Sequence, residues 1–328
     1  MMEEEAVLCF PQLNTSCWKP KRPRSHSVLT YILLSCISLL TVTLNLLVII
    51  SISHFKQLHT STNFLLLSLA VSDLLVGLIM LFEGMVIDGC WYLSDIMCTM
   101  YYVLQYIATC SSVGIMVLIS VDRYVAICNP LHYSTKVSPR RVKILIPLCW
   151  ICCMLFVSLQ MKENLKQTGQ FKSCVGECVI VFNMLEQVAD LVLMFILPIS
   201  VIVVLYVRVF AVALTQARAM RTLIMVASRQ HSVGVTAKRG EVKAARTLGV
   251  VVAVFLLCVC PLYCVSLAGQ DTLFDVSSAS FVICLAYFNS CLNPLVYALF
   301  YPWFRKSVRL IVTLQILKPG SFESNILK

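Results

Sequence analysis

Seven apolar runs, at roughly 28–53, 61–83, 96–127, 140–160, 181–210, 243–267 and 279–300, constrain this chain more than any other feature. Each is long enough to cross a bilayer, whose hydrocarbon core of about 30 Å takes about 20 helical residues. The fold class predicted is therefore all-α: a seven-transmembrane helix bundle over residues 28–301, preceded by an extracellular segment 1–27. A short amphipathic eighth helix and cytoplasmic tail follow over 302–328. Composition agrees, since 328 residues that are 59% hydrophobic and 13% charged, with a mean hydropathy of +0.87, fall outside the range of ordinary soluble globules.

Seven crossings put the two termini on opposite sides. With the N-terminus outside, the external Lys and Arg are four before the first span and three in the 160–180 loop, leaving 19 of the 26 inside. The positive-inside rule then selects an extracellular N-terminus and a cytoplasmic C-terminus, the topology of a multi-pass plasma-membrane protein. The net charge of +10 is accordingly a signal of topology and anionic lipid rather than of nucleic acid. Met1 to Ser27 lacks the apolar core of a cleavable signal peptide, so the first span is expected to serve as the uncleaved membrane signal. Asn14-Thr15-Ser16 fits the glycosylation sequon, which carries meaning once this segment is outside.

The 17 cysteines suggest a disulfide scaffold by count, yet most lie in apolar runs, where a reduced thiol is a small core residue. Cys9, Cys17, Cys90, Cys98, Cys174 and Cys178 should meet the oxidising exterior. A bond from Cys98 to the 160–180 loop would clamp that loop over the bundle, and either Cys174 or Cys178 could reach. Spacing alone does not pair the six.

A charge inside a membrane span costs several kcal/mol unless compensated, so the polar residues within the runs are functional candidates. Asp190 stands in LEQVADLVLMFILPISVIVVLYV, about two turns before Pro198; the bland alternatives are a solvated residue at the outer mouth or an acid paired to a local donor. Asp73 lies mid-span in the second run and Asn45 at similar depth in the first. Ser112, Asn289, Ser290 and Asn293 lie at compatible depths and could supply oxygens to a small cation such as sodium beside Asp73; a hydrogen-bonded water network is the equal alternative. At the inner end of the third run Asp122-Arg123 reads as a releasable latch, which Glu241 at the inner start of the sixth could hold from across the bundle.

Asn45, LAVSD ending at Asp73, Trp91 seven residues before Cys98, Asp122-Arg123-Tyr124, Trp150, Pro198, Tyr206, Phe255 through Pro261, and Asn293-Pro294-Leu295-Val296-Tyr297 together resemble the rhodopsin-like, class A G-protein-coupled receptors. NSCLNPLVYALFYPWF at 289–304 and SCVGEC at 173–178 are similar to the trace amine-associated receptors. That resemblance implies disulfides Cys98 to Cys178 and an N-terminal cysteine, Cys17 in preference to Cys9, to Cys174. It also implies an olfactory receptor for small amines that couples to a stimulatory G protein and raises cyclic AMP, with no enzymatic activity and no cofactor beyond an allosteric sodium ion.

In most of that family an aspartate 18 residues before the DRY arginine holds the ligand ammonium; here that position is Gln105, a neutral amide. The resemblance extends to fish members with the counter-ion on the fifth helix, eight residues before the proline, where this chain has Asp190. A carboxylate there would offset the hydration an ammonium loses. Glu186, four residues earlier on roughly the same helical face, raises the question of a second ammonium, although an acid nearer the mouth is more often a solvated rim residue. Tyr106, Thr109, Leu262, Tyr263 and Tyr287 are the expected pocket walls, each of which could equally be core.

The sixth run has Val259 where the receptor pattern carries tryptophan, so coupling from ligand to helix must use other contacts, with Pro261 still allowing a kink. Tyr206 and Tyr297 are expected to meet Arg123 once it is released. Pro130 and Leu131, with the basic 208–246 segment, form the expected G-protein surface. Trp303 and Phe304 are expected to insert into lipid, with Arg305, Lys306 and Arg309 toward headgroups. A class A receptor for a non-amine ligand remains the alternative. A transporter should show paired repeats and an intramembrane enzyme a nucleophile or metal set, neither of which is visible.

Overall fold

In lipid only helices and closed barrels satisfy the backbone internally, and apolar runs of about 20 residues suit the helix. The computed structural model describes residues 7–19, 24–226, 249–250, 252–265, 276–323 and 325–326, and these are helical almost throughout. The long helices are α1 (Arg24–His54), α2 (Ser61–Ile79, continued by Met80–Phe82 and Glu83–Ile87), α3 (Asp95–Cys128) and α4 (Pro139–Gln160). They are followed by α5, α6 (Val252–Val265), α7 (Val276–Phe300) and α8 (Pro302–Val312). Helix α5 begins as Met184–Asp190, widens into a π-helical turn at Leu191–Ile196 and runs on as Leu197–Val226. Among the described residues six helices, α1 to α5 and α7, are long and apolar enough to cross a membrane, and α6 is a shorter apolar helix. The chain is a multi-pass membrane protein.

Local sequence sets the helix starts. Thr60, Ser94 and Ser138 each turn a hydroxyl to a first-turn N–H, and Pro139 fits the first position of α4, where no N–H is needed. Asn183 and Glu186 close a reciprocal capping box at the start of α5. The π turn immediately precedes Pro198, whose ring would clash with the Met194 carbonyl in a regular α-helix.

Helix α2 packs between α1 and α3, α3 contacts α4 and α5, and α7 returns against α1 and α2. The main core, including Phe55, Leu66, Ile115, Met116, Phe255 and Tyr297, is buried between them. Outward residues such as Leu39, Ile144, Leu159 and Val207 stay exposed, the pattern of a lipid-facing surface. Trp303 and Phe304 correct the expectation for α8: both are buried against the bundle rather than free for lipid. Lipid offers them no more apolar contact than the protein does, and the seat left by α1 and α7 is filled by these rings. The tail then folds beneath α1, with His54 hydrogen-bonded to the Ser321 hydroxyl at 2.9 Å and Ile326 buried.

At the end of the bundle that carries the N-terminal segment, three disulfides tie that segment and the 160–183 loop to the helices: Cys9–Cys90, Cys17–Cys174 and Cys98–Cys178. The second and third match the pairing implied by the family resemblance; Cys9–Cys90 is additional. Backbone bonds reinforce the cap, from Cys17 N–H to the Val175 carbonyl (2.9 Å) and from Trp91 N–H to the Gly176 carbonyl (2.7 Å). Gly176 has φ +98°, and a Cβ there would meet the Phe10 ring at 3.0 Å. Lys19 pairs with Asp88 (2.7 Å) and Lys172 with Asp95 (2.6 Å). Burial alone would raise the Glu177 carboxyl, but hydrogen bonds from the Ser173 N–H and hydroxyl hold it below the usual carboxylate range.

Candidate ligand-binding site

Below this cap a cavity of about 340 Å³ opens between α2, α3, α5, α6 and α7. Gln105, Tyr106, Thr109, Leu262, Tyr263 and Tyr287 all line it, as does Phe255 with Val259 beside it. Two expected ligand contacts sit differently. Asp190 is half-buried behind the wall, close enough to Tyr106 and Tyr263 to act on both electrostatically, but it is not itself part of the lining. Among the described residues it has no hydrogen bond or ion pair. The Phe195 ring stacks on Tyr263 at 4.2 Å, so the π turn after Asp190 and the outer end of α6 support each other there.

Glu186 is not a free rim acid. It is buried, and its Oε2 accepts from the Asn183 N–H at 2.9 Å while its own N–H donates to the Asn183 side chain at 2.9 Å. The carboxylate is turned back along the helix to a donor that α5 would otherwise leave unsatisfied. It is absent from the cavity wall.

The acid that does line the cavity is Glu83, which pattern reading passed over. The second apolar run ends at residue 83 by its pattern, whereas the helical path continues to Ile87 and carries Glu83 within it. The signal was LFEGM, a single acid with apolar residues on both sides. Glu83 is 5% exposed. Tyr101 and Tyr287 both donate hydroxyl hydrogen bonds to its Oε2, the latter at 2.6 Å. Gln105 Nε2 donates in turn to the Tyr287 oxygen at 2.9 Å, while Gln105 Oε1 is buried with no partner among the described residues.

Deeper in the same cavity Ser112, Asn289 and Ser290 form the floor. Beneath it Asn293 Nδ2 donates to Asp73 Oδ2 at 2.9 Å and Asn45 Nδ2 donates to the Ser290 carbonyl at 3.0 Å. Asp73 Oδ1, Asn289 Oδ1 and Asn293 Oδ1 are buried acceptors without a donor among the described residues. Such orphaned oxygens around a carboxylate suit a small hard cation.

At the inner end Arg123 Nε donates to Asp122 Oδ2 at 3.0 Å, and Asp122 also accepts from Thr62 (2.8 Å) and Tyr133 (2.9 Å). Arg123 reaches the Thr62 hydroxyl as well. Its latch is therefore built from α2, α3 and the short helix Pro130–Lys136; Glu241 lies outside the described residues. The hydroxyls of Tyr206 and Tyr297 are buried and have no partner among the described residues. Tyr124 packs with Ile127 and Val209, Pro294 lies inside α7, and Leu131 is 89% exposed on the inner side beside Pro130. Asn14 is exposed in the N-terminal segment.

This arrangement, a cavity under a disulfide-tied cap with a polar floor and an arginine latch inside, has the relatives expected of it. Residues 44–297 match the family model of the 7 transmembrane receptor (rhodopsin family). The chain is 38% identical to trace amine-associated receptor 13c of Danio rerio, over 98% of this chain and 97% of that protein. It is 35% identical to trace amine-associated receptor 4 of Mus musculus, over 98% and 96%. It is 38% identical to trace amine-associated receptor 6 of Homo sapiens, over 97% and 95%. The chain belongs to the trace amine-associated receptors. It is thus a rhodopsin-family receptor rather than an enzyme, and α6, whose apolar length in the described residues is short, completes the seven-helix bundle of that family.

Proposed function

We propose that this trace amine-associated receptor binds protonated small amines, with the ammonium drawn to Asp190 in place of the third-helix acid that Gln105 replaces. The observation that carries the reading is an acid without a described partner at the back of an aromatic cavity. The low dielectric strengthens its attraction for a cation, and the Tyr106 and Tyr263 rings can add cation–π attraction on the way. Direct pairing requires rotamer changes that bring Asp190 into the cavity wall, a rearrangement of side chains common on binding. A ligand that favours one packing of α5, α6 and α7 shifts a pre-existing equilibrium by its differential affinity.

Transmission inside would release Arg123 from Asp122 and Thr62 toward the unpartnered hydroxyls of Tyr206 and Tyr297. The exposed Leu131 would then meet a stimulatory G protein that raises cyclic AMP, in an olfactory setting. The N-terminus, with Asn14 available for glycosylation, is extracellular, and the plasma membrane is the working location. Sodium at Asp73, with Ser112, Asn289, Ser290 and Asn293, would stabilise the resting packing of α2, α3 and α7.

The test is a panel of alkylamines against chain-matched neutral alcohols on cells expressing the full chain, read as cyclic AMP. Amines should raise it and alcohols should not. Equal responses to the alcohols, or silence to every amine, would overturn the reading.

A further inference from the structure

Glu83 has no role in the amine reading above, yet among the described residues it is the only carboxylate in the lining of the cavity. It is 5% exposed and has no cationic partner among the described residues. A carboxylate so placed is costly without compensation. Its donors are arranged one-sidedly: both tyrosine hydroxyls converge on Oε2, and Oε1 accepts nothing among the described residues while belonging to a side chain on the cavity wall. Since the two hydroxyls donate, the carboxyl group is the acceptor in both bonds, as a carboxylate would be.

A second observation points the same way. Gln105 spends its amide N–H on Tyr287 and leaves Oε1 buried and without a donor. The chain Gln105 to Tyr287 to Glu83 therefore places an orphan amide oxygen close to an underused carboxylate, two acceptors linked through one hydroxyl. Neither can serve the other. What both lack is a group rich in N–H donors and positively charged, which describes an ammonium with its three hydrogens.

We propose that Glu83, with Gln105 Oε1, forms a second ammonium subsite in this cavity, so that the preferred ligand is an elongated diamine with one end at Glu83 and the other at Asp190. The assignment rests on the amine reading of the same site. The two acids reach the cavity from different helices and through different tyrosines, Glu83 from α2 with Tyr101 and Tyr287, and Asp190 from α5 beside Tyr106 and Tyr263. At roughly 30 Å³ per water-sized group, the cavity's volume of about 340 Å³ has room for a flexible chain between them. Its Val76, Val86, Val113 and Ile283 walls suit methylenes. Glu186, the other acid considered on the outer part of α5, is occupied by Asn183 and takes no part.

The experiment uses the full chain in cells, with surface amount measured by an N-terminal tag. Unbranched α,ω-diamines of four to eight carbons are each compared with the monoamine of the same length by cyclic AMP dose response. At the best length the diamine should be about 10- to 100-fold more potent, the range of an added charge-assisted hydrogen bond. Glu83→Gln should erase that preference, so that diamine and monoamine of the same length become equipotent within the variant, whatever shift the change brings to both together. Gln105→Leu should shrink the preference in the same sense, and carries the test if Glu83→Gln does not reach the surface. No diamine preference at any length, or a preference that survives in Glu83→Gln, would overturn the second subsite and leave Glu83 as a strut for Tyr101 and Tyr287. An unchanged monoamine response in Asp190→Asn would instead overturn the amine anchor itself, a separate outcome.

Discussion

At the scale of single residues, the sequence marks acids in apolar runs but does not tell which are free. Asp190 and Glu186 look equivalent in one dimension, four residues apart on one face. The structure separates them, because Glu186 is held by the Asn183 N–H at 2.9 Å whereas Asp190 is held by nothing described. The N-cap signature Asn-x-x-Glu was present in NMLE and is a local pattern; competing with a membrane-charge argument, it was the better guide. Glu83 was hidden for the opposite reason, since its partners Tyr101 and Tyr287 are distant in sequence and only packing brings them together. Glu186→Ala should therefore lower the detergent melting temperature, by a loss of about 0.5–2 kcal/mol typical of a capping interaction. Amine potency should stay unchanged, and a selective loss of diamine response in that variant would return Glu186 to the pocket.

Among elements, the runs other than the sixth, whose ends lie outside the described residues, were legible to within a few residues because bilayer thickness fixes the length of a spanning helix. The π turn in α5 was not, since Pro198 announces a disturbance without saying whether the helix kinks or widens. Nor was the seating of α8: alternating aromatic and basic residues suit a lipid surface and a protein groove alike, and only the shape left by α1 and α7 decides for the groove. Trp303→Ala should cost about 3 kcal/mol or more, as for other buried large side chains, seen as a lower melting temperature in detergent without any bilayer; an unchanged value would assign the ring to lipid. In α3, Arg123→Ala should retain amine binding and lose G-protein signalling, measured as bound labelled amine against cyclic AMP. Its partners Asp122 and Thr62 are remote from the cavity wall, so loss of binding would contradict the separation of recognition from transmission.

For the whole molecule, the seven-helix architecture and membership of the receptor family followed from spacing over most of the chain, and the family match over residues 44–297 agrees. The outer cap was legible only in part. Six exterior cysteines admit many pairings, and the resemblance supplied two, leaving Cys9 and Cys90 unassigned until the N-terminal segment was seen folded back with Leu8 bridged to Trp18. Closing a separation of 81 residues, the Cys9–Cys90 bond should contribute about 2–4 kcal/mol. Replacing both cysteines with serine should lower the melting temperature and speed amine dissociation by loosening the cap; identical dissociation rates would show that the cap does not control access.

A receptor of this family joins a ligand and a G protein in one molecule, so the central claim is best tested by an input varied at one carboxylate and an output read through the G protein. That measurement is the cyclic AMP dose response of Asp190→Asn to a monoamine, at surface levels matched to the parent chain. Loss of a charge-assisted contact predicts a fall in potency of about 10-fold or more, whereas a dose response superimposable on the parent's would contradict the assignment of Asp190 as the ammonium anchor.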